Sequence, residues 1–198
     1  MRRRATVVAS LLAAALVSLP LGYGLHAEIR AGVEAGPAPP ATAPAEAKAV
    51  ALLRQQAVRG DAQAQYDLAV ALDCGRGARR DPAEAFEWLR KSAAAGHVAA
   101  QGALGWKYMT GDGAPRDDGA AFEWLRRAAE KGNTSAQNNL GILYAQGRGV
   151  AADPIEAAKW FSLAAGKGAA EAEGNLEALR AGRSHAVRPS AEPALQRL

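Results

Sequence analysis

The residue types able to do acid, base, nucleophilic or metal chemistry are few in this chain, and they do not gather. The three histidines, His26, His97 and His185, fall near the N-terminus, mid-chain and near the C-terminus, where they offer neither a metal triad nor a shared acid–base site. His97 reads as a solvated turn residue between two repeats. Cys74 is the sole cysteine, which excludes an intramolecular disulfide and a thiolate zinc cluster. It is left as an inert helix-end residue or as the half of an intermolecular disulfide. Asp81, Asp117 and Asp153 could supply carboxylates for general acid–base work, but they recur 36 residues apart, whereas catalytic carboxylates must converge. The glycine pairs Gly75/Gly77, Gly111/Gly113 and Gly147/Gly149 superficially match phosphate-cradling loops, yet no strand precedes them and no Lys-Ser follows. No catalytic residue, metal site or cofactor is expected.

These residues share an interval because the whole middle of the chain does. Gly60, Gly96, Gly132 and Gly168 mark units 60–95, 96–131 and 132–167, which align without a gap. In each unit Ala64, Leu68 and Leu72, then Ala100, Leu104 and Tyr108, then Ala136, Leu140 and Tyr144 repeat every four residues, the stripe of one helical face. This helix A stops at Gly75, Gly111 or Gly147, where glycine adopts the left-handed conformation of a helix end. Asp81, Asp117 and Asp153 then cap helix B, with Pro82 and Pro154 at its first position. Its apolar residues include Phe86, Trp88 and Leu89, Phe122, Trp124 and Leu125, and Trp160 and Phe161, so the three tryptophans read as core. Half-units before Gly60 and after Gly168 continue the columns and supply polar outer faces. Neither helix of a pair buries its apolar face alone, so the pairs must stack: an all-α solenoid of helix-turn-helix repeats over 46–180.

The two ends read differently. Three arginines precede an uncharged apolar run from Ala5 to Leu25, the layout of an export signal. Residues 1–27 are therefore a cleaved signal peptide or a membrane anchor that leaves the repeats outside. Residues 28–45, broken by Pro37, Pro39, Pro40 and Pro44, form an extended linker, and 181–198 are expected to be a disordered tail. The net charge of +4 overstates the basicity of the repeats, which carry 13 basic and 13 acidic residues between Gly60 and Gly168. A nucleic-acid partner needs a basic surplus, and none is present.

The run Ala-Gln-x-x-Leu-Gly-x-x-Tyr-x-x-Gly-x-Gly-Val-x-x-Asp-Pro-x-x-Ala-x-x-Trp-Phe-x-x-Ala-Ala at Ala136 to Ala165 closely resembles the Sel-one-like repeat, a relative of the tetratricopeptide repeat. The resemblance covers about Ala45 to Arg180. It implies a right-handed superhelix of antiparallel helix pairs and the role of an adaptor or scaffold. Unit one departs from the pattern with Ala69 in place of Gly105 and Gly141, and with Leu72 in place of Tyr108 and Tyr144. The cysteines of a secreted, β-lactam-binding branch of the family are missing, so that branch's activity is not carried over.

One column invites a functional reading. Val70 lies about 200° around helix A from Leu68 and Leu72, opposite the core stripe, and its equivalents are Trp106 and Ile142. Tyr66 and Asn138 stand one turn before this column and Met109 one turn after. In the geometry the resemblance implies, that side lines the concave groove, which makes Tyr66, Val70, Trp106, Met109, Asn138 and Ile142 the candidate partner-binding residues. The reading is an exported, non-enzymatic interaction module of the bacterial cell envelope, periplasmic and either soluble or anchored to the inner membrane. It binds a peptide or protein in its helix A groove. The alternative is an envelope hydrolase, or a regulator of one, acting on cell-wall material.

Overall fold

Each unit's two helices begin and end where the side chains dictate. The computed structural model describes residues 44–183 and 186–190. The expected signal or anchor, residues 28–43 of the linker, His26, His185 and residues 191–198 lie outside the described residues. Eight helices are found among the described residues: α1 (Pro44–Val58), α2 (Ala62–Cys74), α3 (Pro82–Ala94), α4 (Val98–Thr110), α5 (Asp118–Glu130), α6 (Thr134–Gln146), α7 (Pro154–Ala165) and α8 (Ala170–Arg180). Helices α2, α4 and α6 are the A helices of the three units and α3, α5 and α7 the B helices, while α1 and α8 are the half-units at the ends. Each helix packs on the next in the chain, and α4 packs further on α6, as α6 does on α8. The architecture is the all-helical solenoid that the 36-residue period requires.

The stops and starts follow the expected chemistry. Gly75, Gly111 and Gly147 end the A helices with φ of 68°, 80° and 67°, where a side chain would be strained. The carboxylates of Asp81, Asp117 and Asp153 accept hydrogen bonds from backbone N–H groups in the first turn of each B helix. The second glycine of each pair has a separate purpose. A Cβ on Gly77 would sit 2.6 Å from the Glu46 carbonyl oxygen and one on Gly113 3.0 Å from that of Pro82, so the loop rests on the first turn of the preceding B-type helix.

His97 is corrected from a solvated turn residue to the N-cap of α4. Its Nδ1 accepts from the Ala100 N–H at 3.2 Å, which leaves the proton on Nε2, 2.9 Å from Gln63 Oε1. Its ring lies 4.8 Å from that of Tyr66. Asp61 and Asn133 hold the same cap in the neighbouring units. Gln65, Gln101 and Gln137 add a repeated bolt, each donating its side-chain N–H to a carbonyl at the end of the preceding B-type helix, at Ala57, Ala93 and Ala129.

The core consists of Leu68, Leu89, Leu104, Leu125, Leu140 and Phe161, all fully enclosed, with alanines filling the close approaches. Gly105 and Gly141 have no room for a Cβ, which would lie 2.7 Å from Leu125 Cγ and from the Phe161 ring respectively. Only Trp88 of the three B-helix tryptophans is buried; Trp124 and Trp160 are half-buried at the core's edge. Lys91 lies over the Trp88 ring and Arg127 over that of Trp124, so the ring faces toward solvent are covered by long cationic side chains.

The tail expected to be disordered from 181 is corrected over its described stretch. Residues 186–190 pack against α6 and α8, with Val187 and Ser190 buried. Composition gave no sign of this, because the interaction uses backbone amides and a single apolar side chain.

Candidate peptide-binding face

Three columns one residue or one turn apart define the face that the A helices share. The first holds Tyr66, Gly102 and Asn138; the second Asp67, Ala103, Asn139 and Asn175; the third Val70, Trp106, Ile142 and Ala178. An open groove was expected along the third. Instead Val70, Ile142, Tyr66, Met109 and Asn138 are buried, and only Trp106 of the six candidates keeps partial exposure. The physical reason is lateral packing. Helical periodicity separates one core face from one outer face, but an A helix in a solenoid also touches the A helices beside it. Val70 therefore joins the cluster of Leu68, Trp88 and Leu104, and Met109 that of Leu125 and Leu140. Ile142 clusters with Ala157, Phe161, Ala178 and Val187 of the tail.

Asn138 is buried for another reason: it holds the tail. Its Nδ2 donates to Ser190 Oγ at 2.9 Å and to the Arg188 carbonyl at 3.4 Å, while its Oδ1 accepts from Asn175 at 2.9 Å. Asn175, on α8, grips the Arg188 peptide from both sides. Its Oδ1 accepts from the Arg188 N–H and its Nδ2 donates to the Arg188 carbonyl, both at 2.7 Å. Asn139 completes the set by accepting from the Ser190 N–H at 3.0 Å. A carboxamide offers one acceptor and two donors on one rigid plane, so it can pair with both polar groups of one residue without reading that residue's side chain. The Arg188 side chain accordingly points to an exposed position while Val187 enters the apolar cluster. Sequence reading singled out Asn138 and missed Asn139 and Asn175, although Asn175 stands one repeat interval after Asn139.

Charged ties hold the units that present this face. Lys107 of α4 is wholly enclosed and donates to Asp73 of α2 and to Asp112, each at 3.0 Å. Arg148, in the loop after α6, donates to Asp118 at 2.6 Å and to the Met109 carbonyl at 2.9 Å. The hydrogen bonds from Arg148 and Arg116 hold the Asp118 carboxyl down at about 2. Burial lowers the His97 imidazole below its ordinary value and raises the Asp67 carboxyl above its own. Among the described residues no group of three or more His, Cys, Asp and Glu is placed to hold a metal ion. Each capping aspartate points its carboxylate at a helix start and not toward a common centre.

The Sel1 repeat family model matches residues 62–97, 98–133 and 134–168, more than half of the chain. The chain belongs to the Sel1 repeat family. Among solved structures, the protective antigen c5321 of uropathogenic Escherichia coli, which displays the same fold, is 36% identical with a TM-score of 0.62; the match covers 68% of this chain and 29% of that one. The chain thus spans under a third of that antigen's length. A Sel1 repeat protein from Oxalobacter formigenes is 38% identical with a TM-score of 0.59, over 65% of this chain and 96% of that one. Cysteine-rich protein B of Helicobacter pylori, 21% identical with a TM-score of 0.50 over 65% of this chain and 95% of that one, shares the fold alone. None of the curated proteins matches the chain. Sel1 repeat proteins are generally non-catalytic protein-interaction modules.

Proposed function

We propose that this Sel1 repeat chain is an exported scaffold of the bacterial cell envelope that holds an extended segment of a protein partner on the face formed by its A helices. One observation carries the reading: the A helices α6 and α8 already hold a segment without regular secondary structure, Val187 to Ser190, through side-chain amides directed at its backbone. Export rests on the three arginines and the apolar run at Ala5 to Leu25, which either leave with a cleaved signal or stay as an inner-membrane anchor. Trp106 is the half-exposed aromatic of the same face and the position where a partner would gain most from burying a ring.

Two experiments test this. A reporter enzyme active only outside the cytoplasm, fused after residue 45, should be active in cells and lose that activity when Arg2, Arg3 and Arg4 are replaced by glutamate. A photo-crosslinking amino acid at Trp106 should then capture a protein that the same group at the exposed Arg127 of helix B does not. An inactive reporter defeats the envelope assignment, and equal capture at the two positions defeats the assignment of the face.

A further inference from the structure

The tail segment is bound in the way a ligand is bound, and the repeats themselves supply the comparison. In unit two the positions of Asn138 and Asn139 are held by Gly102 and Ala103, and that unit stacks on its neighbours without a carboxamide at either place. The stack therefore does not need two adjacent asparagines within a helix, where asparagine is a poorer helix former than alanine. What they do instead is meet the Arg188 and Ser190 backbone. Apart from the Ser190 hydroxyl, every polar group they engage on the tail is a main-chain group, and the Arg188 side chain is left exposed. Selectivity is confined to Val187, enclosed with Ile142, Phe161 and Ala178, and to the small Ser190.

We propose that Asn138, Asn139 and Asn175, beside the apolar cluster of Ile142 and Ala178, form a binding site for an extended peptide, and that residues 186–190 occupy it in cis. A partner enters by presenting the same chemistry: backbone N–H and C=O groups free of regular secondary structure, with a β-branched apolar residue followed three positions later by a small hydroxyl residue. The site stays receptive when the tail leaves, because the Asn138–Asn175 hydrogen bond keeps those two carboxamides in place while the groups that met the tail, among them Asn139 Oδ1 and Asn175 Oδ1, pass to water and are open to the next peptide backbone. The tail then sets a threshold, since a site open for only a fraction of the time binds a competitor more weakly by that fraction. This inference rests on the protein-binding reading and specifies its site.

The test uses the full chain and a fluorescently labelled peptide of residues 183–191. Val187→Asp should release the tail in cis, and binding of the labelled peptide should tighten at least about tenfold relative to wild type if the tail closes the site nine-tenths of the time. Adding Asn175→Ala to the Val187→Asp chain should abolish that binding. Ser190→Pro provides a second opening variant, because it removes the N–H that Asn139 accepts and leaves the apolar cluster alone. If Val187→Asp unfolds the chain, Ser190→Pro carries the comparison. A folded opening variant that binds the peptide no better than wild type overturns the proposal. So does unfolding of both variants, which would make the segment a structural strap. Wild type and a folded Val187→Asp chain that crosslink the same protein at Trp106, with no difference in peptide binding, would refute the tail as a competitor and leave the scaffold reading standing.

Discussion

Lys107 offers a quantitative test of how the units are joined. It is a fully enclosed cation whose ammonium group is held by Asp73 on α2 and by Asp112 in its own following loop. Lys107→Met keeps the aliphatic stem and most of the volume, so the apolar packing survives and the charge is what is lost. The two aspartates then differ in their fate. The Asp112 side chain is 40% exposed and water replaces its partner, whereas that of Asp73 is 10% exposed and is left as an uncompensated charge between two units. Breaking a buried pair from one side costs about 3–5 kcal/mol. With only one of the two carboxylates stranded, the lower end applies, and Lys107→Met should lose about 3 kcal/mol. Asp112→Asn, at the exposed end, should lose less than about 1 kcal/mol. Replacing both buried members, as Lys107→Met with Asp73→Leu, should recover most of the loss, because two apolar groups need no partner. Urea unfolding followed by far-ultraviolet circular dichroism measures all four chains. A Lys107→Met loss below about 1 kcal/mol, or a double variant no better than the single one, would refute the claim that this ion pair joins units one and two.

The other predictions concern caps, loops and the aromatic of the face. Gly149→Ala should lower the melting temperature far more than Gly168→Ala: both have positive φ, but a Cβ at Gly149 would overlap the Asp118 carbonyl oxygen while one at Gly168 meets nothing. Since burial lowers the His97 imidazole, the native state holds it neutral, and its contribution is fully present above about pH 6.5 and lost as pH falls through the lowered native value. His97→Asn, which copies the cap at Asn133, should remove that part of the pH dependence in thermal melts, and an unchanged slope between the two chains would sink the cap assignment. Leu125→Ala empties a fully enclosed site and should cost about 2–5 kcal/mol in urea unfolding. Trp106→Ala, half-buried against the Met109 cluster, should cost clearly less while weakening crosslinked capture of a partner; equal stability losses would place Trp106 in the core.

What the sequence reveals is what it repeats. The helix stops at Gly75, Gly111 and Gly147 and the caps at Asp81, Asp117 and Asp153 stand out because one local geometry is specified three times. The depth of Val70 and Ile142 is hidden, because a 100° advance per residue describes a helix with one buried face. Each of these helices also packs against a neighbouring A helix, α6 on both its sides and α2 through the cluster it shares with α4. Lys107 gives no signal, since its buried partner Asp73 comes from a different unit and the equivalent positions, Ala71 and Leu143, are apolar. The tail escapes notice for the opposite reason to the repeats. It occurs once, and its hold on the repeats comes from main-chain groups that every residue has.

The most direct measurement of the central claim, that the A-helix face takes an extended segment by its backbone, is amide hydrogen exchange at Arg188 and Ser190 in the full chain. Both N–H groups donate to carboxamide oxygens, of Asn175 and Asn139 respectively, so both should exchange at least about a hundredfold more slowly than in an unfolded peptide. Asn175→Ala should abolish the protection at Arg188 while the amides of α4 and α6 keep theirs. Exchange at the unfolded rate in the wild-type chain, or protection at Arg188 that survives Asn175→Ala, would contradict the account.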